Sequence, residues 1–389
     1  MKIFIVCNSL GGGGAERVGV NLANGFAQHG HQAYIITDIY QPASYPVDTN
    51  VTVLPFYSRT KGRVKRWING TKNLHRYIKQ EQPDVVIGFM HLCSLISCVA
   101  AIGTKASTVM TVHHALESDT YKFSKFEQFL DRHTPCLYNA TTVLTHPDKE
   151  CMGDRKNIFV MPNPVTFTAA DNIPKKEKIV LAAGRLNDWR YKGWDVLINA
   201  WKSLYYDNVD DDDNLRDWWL KIAGEGKKES LEYLLSLLPD GEWLHDDNVN
   251  DDDNHEGFLC RSEKYHIEFM GFQKDMEPLY KKSEIFVLSS RSEGLPMVLI
   301  EAMSQGCAPI ATDFKGRTKE IITSDKEGLT CNPENIAALA AGIQKLMADE
   351  ELRKTIQQNA IERSKFFSLD NIISLWEKFL YNDMKILKS

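Results

Sequence analysis

Short apolar runs recur through the first half of the chain, separated by stretches of helical period. Ile3–Cys7, Ala33–Thr37, Val51–Pro55, Val85–Phe89, Thr108–Val112, Thr141–Thr145 and Ile158–Met161 have the length and side chains of buried strands. Between the first two, Ala15, Val18, Leu22 and Phe26 share one face of a predicted helix over Ala15–Gln28, and Gly30 supplies its stop. Strands alternating with amphipathic helices predict a parallel sheet covered on both faces. Pro162-Asn-Pro164 ends the last strand, and the polar stretch to Lys178 predicts a linker.

Beyond the linker the pattern restarts. Ile179–Ala183, Leu220–Ala223, Ile267–Met270, Ile285–Leu288 and Pro309–Ala311 predict a second set of strands. Helical patterns follow near Glu334–Ala348, Glu350–Phe366 and Leu369–Leu387. The last carries Ile372, Ile373, Leu375, Trp376 and Phe379 as an apolar stripe long enough to return to the first domain. The expectation is an α/β chain of two doubly wound domains. One spans residues 1–166 with helix 369–389 packed back on it; the other spans 167–368. Ligands of open α/β sheets bind outside the carboxyl ends of the strands, so two such domains facing each other would share one central cleft.

Length agrees, since 389 residues exceed one ordinary core. The segment Met1–Cys7 reads as a strand, not a signal peptide, and the apolar stretch Leu92–Ile102 is too short to span a bilayer. Eight scattered cysteines form no C-x-x-C pair, so they suggest neither a zinc site nor a disulfide frame and favour a reducing cytoplasm. The net charge of −6 hides a division. Asp207–Asp217 and the tract Asp240–Glu256, within an insertion near 240–263, are dense in acids, and without them the remainder is about +7. Asp251 stands where an EF-hand loop needs glycine, so both tracts read as solvated insertions.

Candidate chemistry gathers at predicted strand ends. Glu293 and Glu301 lie eight residues apart in a strand–turn–helix segment. There Gly294 turns the chain, Pro296 sits at the predicted first helical position, and the helix runs from Met297 to Gln305 with Gly306 beyond it. A diphosphate suits such a helix start, because free N–H groups and the helix dipole both favour an anion. Arg185 in Gly184-Arg-Leu, and Lys192 before Gly193, supply the cations a diphosphate needs when no metal is present. Gly224-Glu-Gly226 and Gly271-Phe272 provide further close-approach loops, with Phe272 expected in the core. In the first half, Gly12, Gly13 and Gly14 open a helix but satisfy neither the dinucleotide fingerprint nor a P-loop, which counts against a dehydrogenase. His113-His114 ends a strand, and His113 is the candidate to touch a sugar hydroxyl. From Arg59 to Lys79 the chain carries eight cations and no acid, with Trp67, Ile68, Leu74, Tyr77 and Ile78 interleaved. Such a helix could dock on an anionic membrane or pack its apolar side on the first domain.

Together, Glu293-x7-Glu301, Gly184-Arg-Leu with Lys192-Gly, the Gly-Gly-Ala-Glu-Arg loop, Pro162-Asn-Pro-Val165 and His113 give the chain a resemblance. It resembles a family 4 retaining glycosyltransferase of GT-B architecture, over nearly its whole length. The order of motifs also resembles transferases that build bacterial capsule, exopolysaccharide or lipid-linked oligosaccharide. The resemblance implies a UDP-sugar donor carrying a hexose or N-acetylhexosamine, and a glycan or lipid-linked glycan acceptor. It implies neither cofactor, metal nor nucleic-acid partner. Glu301 would hold the ribose, Arg185 and Lys192 the diphosphate, and Gly271 with Gly294, Leu295 and Pro296 would close around the nucleotide sugar. Glu293 would face the donor sugar, His113 would touch it from the first domain, and Gly12–Gly14 would line the acceptor and phosphate side. Same-face attack and a covalent route through Glu293 both fit these residues. The implied location is the cytoplasmic face of the cell membrane. The alternative is a UDP-sugar epimerase or a non-catalytic sugar-nucleotide-binding subunit of the same fold.

Overall fold

The structure, a computed structural model, describes residues 1–11, 13–57, 62–116, 125–165, 167–206, 217–244 and 259–386. It divides into two compact units, Met1–Thr166 with Phe367–Ser389, and Phe167–Phe366. Gly12, Arg59, Lys61 and most of both acidic tracts lie outside the described residues.

Among the described residues, the first unit is built on seven parallel strands: β1 (Lys2–Val6), β2 (Gln32–Thr37), β3 (Thr52–Pro55), β4 (Val85–Phe89), β5 (Ser107–Thr111), β6 (Ala140–Val143) and β7 (Ile158–Val160). Their order is β3-β2-β1-β4-β5-β6-β7. Ile3, Phe4, Ile5 and Val6 are fully buried, as a central strand covered on both faces requires. Helix α1 (Gly14–Gln28) lays Val18, Leu22 and Phe26 on the sheet. Helices α2 (Arg63–Glu81) and α3 (Met90–Ala101) follow β3 and β4, and α4 (Lys125–His133) and α5 (His146–Cys151) follow β5 and β6.

In α2, Leu74 and Ile78 are buried in the unit's own core with Trp67 and Tyr77 against them. Only part of the predicted apolar side is therefore outward. Val64 and Ile68 remain exposed at 63% and 51%.

Among the described residues, the second unit has eight strands: β8 (Glu177–Ala183), β9 (Trp219–Ala223), β10 (Glu242–Leu244), β11 (Leu259–Ser262), β12 (Ile267–Phe269), β13 (Ser283–Leu288), β14 (Ala308–Thr312) and β15 (Leu329–Cys331). Their order is β10-β11-β12-β9-β8-β13-β14-β15, parallel except where β10, β11 and β12 pair antiparallel. The acidic insertion is thus not wholly irregular. Glu242–Leu244 and Leu259–Ser262, hidden by surrounding charge, form an edge hairpin joined through residues 245–258. The helices are α6 (Trp189–Lys192), α7 (Trp194–Tyr206), α8 (Lys228–Ser236), α9 (Glu277–Lys282), α10 (Met297–Ser304), α11 (Ile336–Ala348) and α12 (Glu350–Ser364). Trp201 and Trp218 anchor the core, with the Trp201 indole N–H donating to Tyr265 O at 2.6 Å.

After α12 the chain returns to the first unit as α13 (Leu369–Lys378). There Ile372, Ile373 and Trp376 join the core, and Trp376 meets Phe26 edge-on at 6.3 Å. The helix is shorter than its pattern predicts. A π turn over Phe379–Asp383 replaces the regular spiral and keeps both Phe379 and Leu380 buried.

Candidate active site

In the second unit, glycines end neighbouring strands side by side. The Gly184 N–H donates to Ala223 O and the Gly224 N–H to Gly271 O, each at 2.9 Å. Gly224 must be glycine, because its φ of 156° and its contact with the Gly184 carbonyl leave no room for a Cβ. Backbone at this edge is thereby open to a ligand lying across several strands.

Beside it, the turn after β8 is locked onto the exit of β13. Gly193 takes φ 66°, and a Cβ there would collide with the Ser289 carbonyl oxygen. Ser289 Oγ donates to Lys192 O at 2.9 Å, and the Arg291 N–H donates to Tyr191 O at 2.9 Å. The Arg291 guanidinium then forks onto Asp195 at 2.8 and 2.9 Å and reaches Glu334 at 2.8 Å. Two segments about a hundred residues apart in sequence become one rigid platform.

On it, Lys192 Nζ meets Glu293 Oε1 at 2.6 Å, with side chains 17% and 14% exposed. Ser290 Oγ donates to the same oxygen at 2.7 Å. Tyr191 is close enough to feel the carboxylate: burial first, and Glu293 second, hold its phenol protonated above the ordinary range. Of the expected residues, then, the fold brings Lys192 and Glu293 into contact. Gly184 lies against the lysine stem, where a Cβ would sit 3.2 Å from Lys192 Cε. Arg185, the next residue, is exposed.

Gly294, Leu295 and Pro296 lead directly into α10 and are buried. Pro296 is the cap of the helix and not its first residue, and the helix ends at Ser304, one residue short of the predicted Gln305. Glu301, in the middle of α10, is 2% exposed and accepts from Tyr280 Oη at 3.3 Å. Phe272, expected in the core, is instead 65% exposed beside Gly271, because β12 stops at Phe269 and the chain has already left the sheet.

In the first unit, His113 is held on both nitrogens. Nδ1 lies 3.1 Å from Asn163 Oδ1 and Nε2 lies 3.0 Å from Thr111 Oγ1, while the ring stacks on Phe89 at 4.8 Å. Asn163 belongs to the Pro-Asn-Pro turn, so that motif orients the histidine. Burial pushes the imidazole down to about 4, against the pull of the Asn163 hydrogen bond. Gly13 caps α1 and Gly14 begins it, with the Glu16 carboxylate folded back over Gly13. That helix start is therefore already faced by an anion of its own.

Tyr191, Ser290, Arg291 and Tyr280 were not evident from the sequence as site residues. Their proximity to the expected residues was the available signal for the first three, whereas Tyr280 meets Glu301 only through the packing of α9 on α10.

Residues 166–363 match the family Glycosyl transferases group 1, and residues 12–168 match Glycosyltransferase Family 4. The chain belongs to the group 1 glycosyl transferases. A Haemophilus influenzae relative, an uncharacterized glycosyltransferase, is 26% identical over 97% of this chain and 99% of its own. A Campylobacter jejuni relative is 27% identical over 98% of each chain. It is the GalNAc-alpha-(1->4)-GalNAc-alpha-(1->3)-diNAcBac-PP-undecaprenol alpha-1,4-N-acetyl-D-galactosaminyltransferase. Among solved structures, Anabaena HepE in complex with UDP and glucose aligns with TM-score 0.72 at 16% identity, covering 98% of this chain and 99% of that one. A Rickettsia africae glycosyltransferase gives TM-score 0.72 at 20% identity over 100% and 99%. These likenesses show the fold, two Rossmann-like units of the GT-B type. This glycosyltransferase moves a sugar from a nucleotide donor to an acceptor.

Proposed function

We propose that the enzyme transfers a hexose or N-acetylhexosamine, with retention and without a metal, from a UDP-sugar to a lipid-linked or growing polysaccharide acceptor. The observation that carries this reading is the Lys192–Glu293 pair at a glycine-lined strand edge. A cation held by a carboxylate at that edge is poised for exchange. An incoming diphosphate takes Lys192, and Glu293 is released toward the sugar. Arg185 supplies the second positive charge, α10 offers its N-terminus, Glu301 holds the ribose, and Phe272 beside Gly271 gives the base a face to stack on. His113 acts on the transferred sugar, and Gly12–Gly14 serve the acceptor and phosphate side.

Retention then needs no protein nucleophile. The bond from the anomeric carbon to the phosphate breaks as the acceptor oxygen bonds on the same face, and the departing phosphate takes the acceptor's proton. Cations and helix N–H groups stabilise the charge that develops on the leaving group. A covalent route through Glu293 is the second possibility for that step. The acceptor class is supported by the undecaprenol-linked substrate in the Campylobacter relative's name, and the base by the UDP held in HepE.

The basic helix α2 supports a place at the inner face of the cell membrane. Val64, Lys65, Ile68, Lys72, Arg76 and Lys79 all point to solvent, apolar at one end and cationic along the rest. Among the described residues no helix is long and apolar enough to cross a membrane, so docking would be peripheral.

Protection from thermal unfolding by UDP, GDP, ADP and their sugars tests the donor. UDP and a UDP-sugar should raise the melting temperature most. Protection by GDP or ADP alone would overturn the choice of base, and UDP-sugar binding without transfer to any glycan would favour the non-catalytic alternative. Rates should be indifferent to added Mg2+ or Mn2+. A requirement for millimolar amounts of either would overturn the metal-free step.

A further inference from the structure

We propose that the first unit carries a binding site for a divalent transition metal of the zinc class, formed by His91, His114 and Asp131. The three come from separate elements: His91 from the first turn of α3, His114 from the loop after β5, and Asp131 from α4. One ligand atom from each lies within 4.8 Å of the others. Asp131 faces both rings, with Oδ1 2.5 Å from His91 Nδ1 and Oδ2 2.9 Å from His114 Nε2. All three side chains are withdrawn from water, Asp131 and His91 to 1% and 5% exposure.

Two imidazoles and a carboxylate form a donor set suited to a borderline d-block ion, and unsuited to Mg2+ or Ca2+, which prefer oxygen throughout. Zinc–nitrogen bonds of about 2.0–2.1 Å place two tetrahedral ligands roughly 3.3 Å apart. The widest separation has to close by about 1.5 Å and the two carboxylate–imidazole contacts have to open by about 0.4–0.8 Å, movements within reach of side-chain rotation, with the ion taking the place of the protons now shared between Asp131 and the rings. The rings are tilted 54° to each other with centroids 5.2 Å apart, which lets their nitrogens converge where stacked rings could not. The backbone is left-handed just before His91. Met90, immediately before it, takes φ 63°, a left-handed conformation that long side chains rarely adopt. A bound ion would staple α4 and the loop carrying His113 to the β4 exit, with remaining positions taken by water. The site is independent of the donor platform, and its test uses no nucleotide sugar.

The full-length protein is stripped with chelator, loaded with Zn2+ or Co2+, desalted and assayed for metal content, visible absorption and melting temperature. The expected result is about one Zn2+ retained per chain, a nitrogen–oxygen Co2+ spectrum of low coordination number, and a raised melting temperature with Zn2+ but not Mg2+. Asp131→Asn and His91→Gln should each weaken Zn2+ binding at least about tenfold, the loss expected when even a supporting ligand is removed. A wild-type protein that retains no zinc and leaves Co2+ with its aqueous spectrum overturns the site. So does a thiolate-to-cobalt charge-transfer band, which would place the ion on the exposed Cys136 or Cys151, or full retention by both variants. If a variant fails to fold by circular dichroism, the wild-type cobalt spectrum still decides.

Discussion

Lys192 and Glu293 neutralise each other across 2.6 Å, so removing either changes the charge of the site as well as its contacts. Arg185→Ala and Lys192→Ala should each reduce transfer by roughly 10²-fold or more, the scale of losing one preorganised charge partner. Initial rates at saturating donor and acceptor check this, and a loss below fivefold in either variant would remove that cation from the phosphate role. Glu301→Ala should chiefly weaken nucleotide binding; unchanged UDP affinity by titration calorimetry would end its ribose assignment. Arg291 ties the Arg190–Tyr191 turn, next to Lys192, to the exit of β13. Arg291→Ala should lower stability by about 1–3 kcal/mol through loss of its charge-assisted bonds, and Arg291→Lys should not restore it, since a single ammonium cannot fork onto Asp195. Urea unfolding with parallel kcat measurement tests both. Lys192 and Glu293 were each legible as candidates because each adjoins a glycine beyond a strand, but their pairing, across a hundred residues of chain, was not. Arg291 was not, because its value lies in contacts to Asp195 and Glu334, far away along the chain.

At the scale of elements, α2 shows how a pattern can serve two ends at once. Its period is plain in the sequence, but which apolar residues turn inward is decided by tertiary packing. Leu74 and Ile78 are claimed by the core, and Arg66 is claimed by Asp38 at 2.9 Å, leaving outward, besides Lys79 near the helix end, the three cations Lys65, Lys72 and Arg76. Each contributes roughly 1 kcal/mol near an anionic leaflet. Co-sedimentation with vesicles should therefore need anionic lipid, fade with added salt as screening grows, and drop when these three become Ser. Equal binding to neutral vesicles, or no response in the triple variant, would leave α2 as a core helix with solvated charges. The turn ending α6 offers a separate check. Gly193→Ala should cost about 1–3 kcal/mol, because it adds a left-handed strain and a clash with Ser289. A melting temperature equal to wild type would show that the platform can relax.

For the molecule as a whole, the parallel strands of both sheets were legible because buried strands are short, apolar and regularly spaced. What was missed lay at the margins. Leu329–Cys331 is too brief to stand out, and Glu242–Leu244 with Leu259–Ser262 is masked by acids whose charge says nothing about backbone pairing. That edge hairpin has a consequence for behaviour in concentrated solution. An open sheet ends in unpaired peptide groups that invite a second molecule to add its own strand. Here the terminal strand, β10, is only three residues long, and the connection from it to β11 carries six acids in residues 245–258. Two copies approaching by this edge would meet like charge with like, so the tract would act as a guard against fibrous self-association. Replacing residues 245–258 with a short Asn-Gly turn should preserve the fold yet increase light scattering on storage, most of all at low ionic strength where the lost repulsion reached farthest.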